Sequence, residues 1–144
     1  MALNEALLPE FDHEMANTRK TLERVPDDKF AWKPHDKSGT MGWLAGHVAS
    51  LPNLASGALQ HDSFDVAVRP PLPPMNNRAD LLAVFDKTSA EARKAIAAAS
   101  DEHLMKTWSL LMSGRTLFSM PRVAVLRSFF LNHLIHHRGQ LTVY

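Results

Sequence analysis

Cysteine is absent from this 144-residue chain, which removes disulfides, thiolate metal ligands and an intrinsic cysteine nucleophile in one step. Any thiol chemistry must bring its own thiol, and a reducing compartment is allowed. An excess of one charge is lacking too: 16 Lys and Arg stand against 15 Asp and Glu, interspersed, for a formal net charge of +1. Without a broad basic face, neither nucleic acid nor an anionic membrane is an expected partner, whereas a small molecule is. No apolar run approaches the roughly 20 residues of a membrane span, and Met1-Ala2-Leu3-Asn4-Glu5 carries no basic region leading into an apolar signal stretch. The expectation is a soluble, cytoplasmic protein. Also missing are a glycine-rich phosphate loop, a G-x-S-x-G elbow and an H-E-x-x-H motif, which removes the usual nucleotide, serine-hydrolase and zincin readings.

What the chain does have is helical periodicity. Leu8, Phe11, Met15, Thr18, Leu22 and Val25 alternate spacings of three and four, as the buried stripe of a first helix requires. Asn4 is a candidate cap, Pro26 a candidate terminator, and Pro9 must sit near the first turn or kink the segment. Residues 26–39 mix Pro, Asp and Gly with Phe30 and Trp32, an ordered connection pinned by aromatics. Thr40 is placed to cap a second helix reaching about Gln60, with a seam at Leu44, His47, Leu51, Leu54 and Ala58. Pro70, Pro71, Pro73 and Pro74 make 61–76 an extended crossover.

Asn77 with Asp80 caps a third helix, whose face is Leu81, Leu82, Phe85, Ala92 and Ile96 and whose end lies near Ser100. The β-formers flanking Ser113-Gly114 in 105–119 fit either a short hairpin or an irregular loop. Ser119 and Pro121 then open a fourth helix with a seam at Val123, Leu126, Phe130, His133, His137, Gln140 and Tyr144. The expected fold class is all-α: a four-helix bundle with long crossover connections, folded as one domain over residues 1–144. Tyr144 ends the seam without a C-cap, which raises the expectation of further chain beyond it.

Three of those seam positions are histidine, and His133 and His137 stand one helical turn apart, the spacing that lets two imidazoles chelate one metal ion. Eight histidines in 144 residues produce about 0.4 such pairs by chance, so the context must carry the reading. An unpartnered polar group in an apolar core costs about 1–3 kcal/mol. A seam holding His47, His133, His137 and Gln140 therefore needs compensation, which coordination supplies. Two imidazoles from one helix and a third from another leave part of the sphere open for water or substrate, as catalytic zinc sites do. The same rings also fit a bland account, in which hydrogen bonds to backbone or to one another satisfy them as core. For the rings to meet, the helices must be offset: started level, His47 lies about 10 Å and His133 about 18 Å along.

Gln140 is placed to orient water or to support His137, and His136 flanks the pair. His13 lies off its seam, and His35, His61 and His103 fall in connections, where solvated histidine is the default. Trp32, Trp43, Trp108 and Phe130 read as core or pocket wall. Arg127 and Arg138 read as a solvated face or as a contact for an anionic substrate group. With no carboxylate evident beside the histidines, no general base stands out other than water activated by the ion itself.

Trp32-Lys33-Pro34, Leu44-Ala45-Gly46-His47-Val48 and the run His133 to Gln140 together resemble the DinB/YfiT-like family of small helical metalloenzymes, which includes mycothiol- and bacillithiol-dependent enzymes. The resemblance implies a four-helix bundle, often a homodimer, with a divalent transition metal, zinc or nickel first, held by His47, His133 and His137. It further implies a metal-dependent transferase or hydrolase acting on a small molecule, with a low-molecular-weight thiol as one candidate cosubstrate. The alternative is a non-catalytic metal- or ligand-binding stress-response protein, and a plain helical interaction domain is the third reading.

Overall fold

The computed structural model describes residues 1–144. Helix α1 spans Leu3–Leu22 and buries Leu7, Phe11, Met15, Thr18 and Leu22. The seam thus runs through Leu7 rather than Leu8, which is only partly buried. The expected cap at Asn4 is displaced to Ala2: the Glu5 carboxylate accepts from Ala2 N–H at 3.1 Å. Asn4 instead donates to Ala97 O at 2.9 Å, tying α1 to the end of a later helix.

Helix α2 spans Met41–Ser50, and Thr40 Oγ1 caps it by accepting from Trp43 N–H at 3.1 Å. Leu51 keeps helical dihedrals, but Pro52 has no N–H to continue the ladder, so the rod resumes as α3, Pro52–Gln60. Helix α4 spans Arg78–Ala98 under the expected Asn77 cap, whose side chain accepts from Asp80 N–H at 2.8 Å. The short α5, Asp101–Met105, follows and carries His103, which the sequence placed in a connection. A single large apolar cluster joins these rods, with Phe11, Leu22, Leu44, Val48, Leu81, Phe85 and Leu134 among its buried members. No helix is long and apolar enough to cross a membrane.

The all-α expectation needs correction. Strand β1 (Ser63–Asp65) pairs in parallel with β2 (Thr107–Met112), which pairs antiparallel with β3 (Arg115–Pro121), giving a sheet of order β1-β2-β3. The first strand lies inside the segment read as an extended crossover, where three residues held no alternation to reveal it. The hairpin reading of 105–119 holds: Ser113 and Gly114 both take positive φ, 50° and 78°, as a two-residue turn matched to strand twist requires. Trp108 and Leu110 of β2 seed a second small cluster with Ala58 and Val125, and Phe64, Phe118 and Phe129 pack against it.

Ser119 and Pro121 belong to β3 rather than to a helical first turn. The last rod starts as α6, Arg122–Ala124, widens into a π-helical segment over Val125–Leu131, and closes as α7, Asn132–Val143. A π turn takes in one more residue than an α turn, so it shifts the phase of everything after it. Leu134 and Leu141 become the buried positions of α7, and His133 and His137 move to the half-buried flank.

Two polar anchors fix the sheet to the helices. Arg122, 2% exposed, donates Nε–H to Ala58 O at 2.8 Å, Nη1 to Lys106 O and Thr107 O at 3.3 and 3.1 Å, and Nη2 to His61 O at 3.1 Å. It thereby satisfies carbonyls at the end of α3 and the start of β2. Its ion pair with Asp62 adds little, since that carboxylate is 98% exposed. Asp65 accepts from the N–H groups of Ala67, Ser113 and Gly114 at 2.9, 3.0 and 2.7 Å, clamping the hairpin turn to β1. Those bonds hold its carboxyl below the usual value of 3.8.

Replacing Arg122 with Met strands buried carbonyls, and urea unfolding should show a loss of about 3 kcal/mol; a loss within experimental error would contradict the anchor role. Because the folded pKa of Asp65 lies below its unfolded value, its contribution is full at neutral pH and is lost as pH falls through the folded pKa. Asp65→Ala should therefore lower the melting temperature at pH 7, with the difference from wild type narrowing as pH falls through the folded pKa.

Candidate metal centre

His47 lies one turn short of the end of α2, and His133 and His137 lie on successive turns of α7. The two helices pack side by side through the shared core, and the three rings meet: centroid separations are 5.2 Å for His47–His133, 4.6 Å for His47–His137 and 4.8 Å for His133–His137. One ring nitrogen from each lies within 4.8 Å of the others, and all three side chains are half-buried. The offset between rods that the sequence required is thus realised. The rings do not fill the core, as the seam suggested; they line its edge.

Hydrogen bonds orient two of the rings. His133 Nδ1 donates to Phe129 O at 3.2 Å, and His137 Nδ1 donates to Gln140 Oε1 at 2.7 Å. Since each acceptor demands the proton on Nδ1, both Nε2 atoms are left with a free lone pair. Gln140 therefore acts on His137 itself, as the outer partner of a metal-ligating histidine does. His47 is held differently, stacked on Trp43 with ring planes 4° apart and centroids at 5.5 Å. Its Nε2 faces His133 Nε2 at 3.3 Å.

That distance discriminates between partners. Two nitrogens bound at about 2.0–2.1 Å to one tetrahedral zinc ion stand about 3.3 Å apart. As a hydrogen bond it would be long, and it would require His47 to carry its proton on Nε2 while His137 Nε2 stayed unpaired. The three rings each bring a ligand nitrogen to within 4.8 Å of the others, so a cation held between them would satisfy all three, and the residues fit the group. The donor set is all imidazole, with no carboxylate in the cluster, which suits zinc, nickel, cobalt, copper or iron rather than calcium or magnesium.

Electrostatics keep two of the rings in the ligating form. Burial first, then the charges of His137, His133 and Arg69, push His47 down to about 4. Burial and then His137 lower His133 as well, against the opposing pull of the Phe129 carbonyl. Both rings are neutral at pH 7, as metal binding requires.

The remaining candidates separate cleanly. His136 is exposed and touches His137 edge-on at 4.9 Å, while His13 meets only Asn17 within α1. His35 Nδ1 accepts from Lys37 N–H, and His103 Nε2 donates to Leu59 O at 2.8 Å. Trp43 is pocket wall; Trp108 and Phe130 are core; Trp32 packs edge-on against Tyr144. Neither Arg127 nor Arg138 is free for substrate: Arg127 pairs with Glu10, and half-buried Arg138 pairs with Glu14 at 2.7 Å and donates to Thr18 Oγ1. Both fasten the last rod to α1.

A cavity of about 270 Å³ reaches the triad through His47, with Trp43 beside it and Arg69, Leu72 and Met75 opposite. The crossover residues among these carried no chemical motif, so periodicity could not have nominated them. A larger surface groove of about 510 Å³ between α3, α4 and α5 touches none of the three rings. The smaller cavity is the one joined to the chemistry.

The sequence profile of the DinB superfamily matches residues 10–141. The chain belongs to that superfamily. Crystal structures of two DinB-like proteins share the fold. The one from Bacillus subtilis is 18% identical with a TM-score of 0.75, over 96% of this chain and 89% of that one. The one from Bacillus cereus is 22% identical with a TM-score of 0.71, over 96% and 88%. No curated protein matches the chain. For this DinB-superfamily chain, two-bond 1H–15N spectra of the metal-free protein at neutral pH should show His133 and His137 protonated on Nδ1 with Nε2 bare. Protonation on Nε2 at either ring would break the proposed convergence.

Proposed function

We propose that this protein is a divalent-metal-dependent enzyme acting on a small molecule, as a hydrolase or a thiol S-transferase, with His47, His133 and His137 as the ligands. The observation that carries the reading is the approach of one ring nitrogen from each of three histidines on two helices, with His133 and His137 oriented by hydrogen bonds at Nδ1. When bound, the ion would supply a Lewis acid that lowers the pKa of water or of an incoming thiol. The chain's own contribution is positional. Trp43 fixes the plane of His47, Phe129 O and Gln140 fix the other two, and the adjoining cavity admits a small partner.

With no cysteine in the chain, the S-transferase form needs an external thiol. The absence of any carboxylate from the cluster favours one rival, a protein that binds metal or ligand without turnover, because no side chain there would serve as general base. Zinc and nickel lead among the metals, and residues 1–144 are taken as one bundle domain.

Protein purified without a histidine tag should contain close to one equivalent of a transition metal. His137→Ala should lose it with helical circular dichroism intact, since that ring is half-buried at the edge of the core. Gln140→Leu keeps all three ligands and should weaken binding roughly 10- to 100-fold. Screening thiols and water against small electrophiles then separates enzyme from binder. Turnover retained without metal would refute the enzyme reading, and wild-type metal content in His137→Ala would refute the ligand set.

A further inference from the structure

Five of the nine arginines are committed, since Arg19, Arg93, Arg122, Arg127 and Arg138 each pair with a carboxylate. Arg69 has no carboxylate or hydrogen-bonding side-chain partner, yet it lines the cavity that opens onto His47. The geometry points to Arg69 as the residue that selects the substrate of the proposed centre, by holding an oxyanion, a carboxylate or phosphonate, while the substrate's apolar body lies between Trp43, Leu72 and Met75. What the anion would do at the triad rests on the metal-centre reading; its capture does not.

The site is built, in three respects. First, Arg69 has φ −61° and ψ 127°, the extended conformation imposed before a proline, and Pro70, Pro71, Pro73 and Pro74 follow it. A guanidinium on such a stiff strap loses less freedom on binding than one on a loose loop. Second, the strap is tied at both ends. Asp65 grips the turn before it, and Asp80 Oδ2 accepts from Asn76 N–H at 2.9 Å behind it. Third, α2 presents Gly46 to the strap. A Cβ there would stand 3.2 Å from Met75 Cε, so the missing side chain lets Met75 close the cavity floor.

Charge points the same way. Arg69 brings a positive charge to the cavity wall. The cavity has no acidic side chain in its wall to neutralise that charge. An unpaired guanidinium at the exposed rim of a mostly apolar cavity offers a forked pair of donors matched to a planar or tetrahedral oxyanion. About 270 Å³ is near the lower limit of small-molecule sites, which sets the ligand's size as well as its charge.

Arg69→Gln removes the charge while keeping a polar, shorter side chain, and because Arg69 is exposed and unpaired the fold should be unaffected. In a metal-free arm, a Trp32→Phe background leaves Trp43 as the exposed indole. Iodide should quench it with a constant about two-fold larger in wild type than in Arg69→Gln, while neutral acrylamide quenches both alike. In a second arm, cobalt-loaded protein is titrated with mercaptoacetate and with 2-mercaptoethanol, read by the thiolate-to-cobalt absorption. Mercaptoacetate should bind about ten-fold more tightly to wild type, and Arg69→Gln should abolish the preference. Equal iodide quenching in the two proteins, or a mercaptoacetate preference that survives Arg69→Gln, would overturn the proposal. Failure of cobalt to bind while the iodide contrast persists would sink the metal centre and leave the anion site standing.

Discussion

The phase of the last helix is the constraint on which the site depends. Over Val125–Leu131 the rod is π-helical, and along it two adjacent aromatics serve two different cores. Phe130 packs on Phe11 at 6.1 Å in the main bundle, whereas Phe129 turns to Phe118 and Trp108 at 5.4 and 6.1 Å under the sheet. Once the turn has widened, Leu134 and Leu141 take the buried line, and the histidines are displaced to its edge.

That displacement changes the energetics of the triad. Three imidazoles in a closed core would each need a satisfied network, at about 1–3 kcal/mol for every one left wanting. At the edge, the desolvation is partial, enough to keep His47 and His133 neutral but not enough to seal them off. Imidazoles kept neutral yet reachable, as these two are, are what an exchangeable metal site requires. The rim is held by ion pairs rather than by apolar depth. Arg138 sits on the turn that carries His137, and its bonds to Glu14 and Thr18 set that turn against α1.

The parts legible in the sequence are those governed by periodicity and local capping. The helices at Met41 and Arg78 start where Thr40 and Asn77 announce them, and the spacing of His47, His133 and His137 brings the three rings together. The hairpin turn is visible in Ser113-Gly114 because few dipeptides tolerate two successive positive φ values. Illegible were features whose cause lies elsewhere in the chain. Strand β1 is three residues long and exists because β2 offers it an edge, and Arg122 has no neighbouring motif because its partners lie 15 to 64 positions away. The π turn is of the same kind: Val125–Leu131 reads as an ordinary amphipathic stretch until the second core beneath the sheet claims Phe129.

The sheet is therefore part of the site's construction rather than an ornament on a bundle. Parallel pairing of β1 with β2 pins the chain just before the proline-rich strap, and the Asp65 clamp fixes where that strap departs. From that point Pro70 to Pro74 leave the backbone little choice of direction, so Leu72 and Met75 face α2 across the cavity instead of wandering in solvent. The same sheet supplies Trp108 and Phe118, the surfaces that draw Phe129 outward and so set the phase of α7. One small three-stranded element thus positions two partners of His47: the rings of His133 and His137, through the π-helical segment, and Arg69 across the cavity, through the strap.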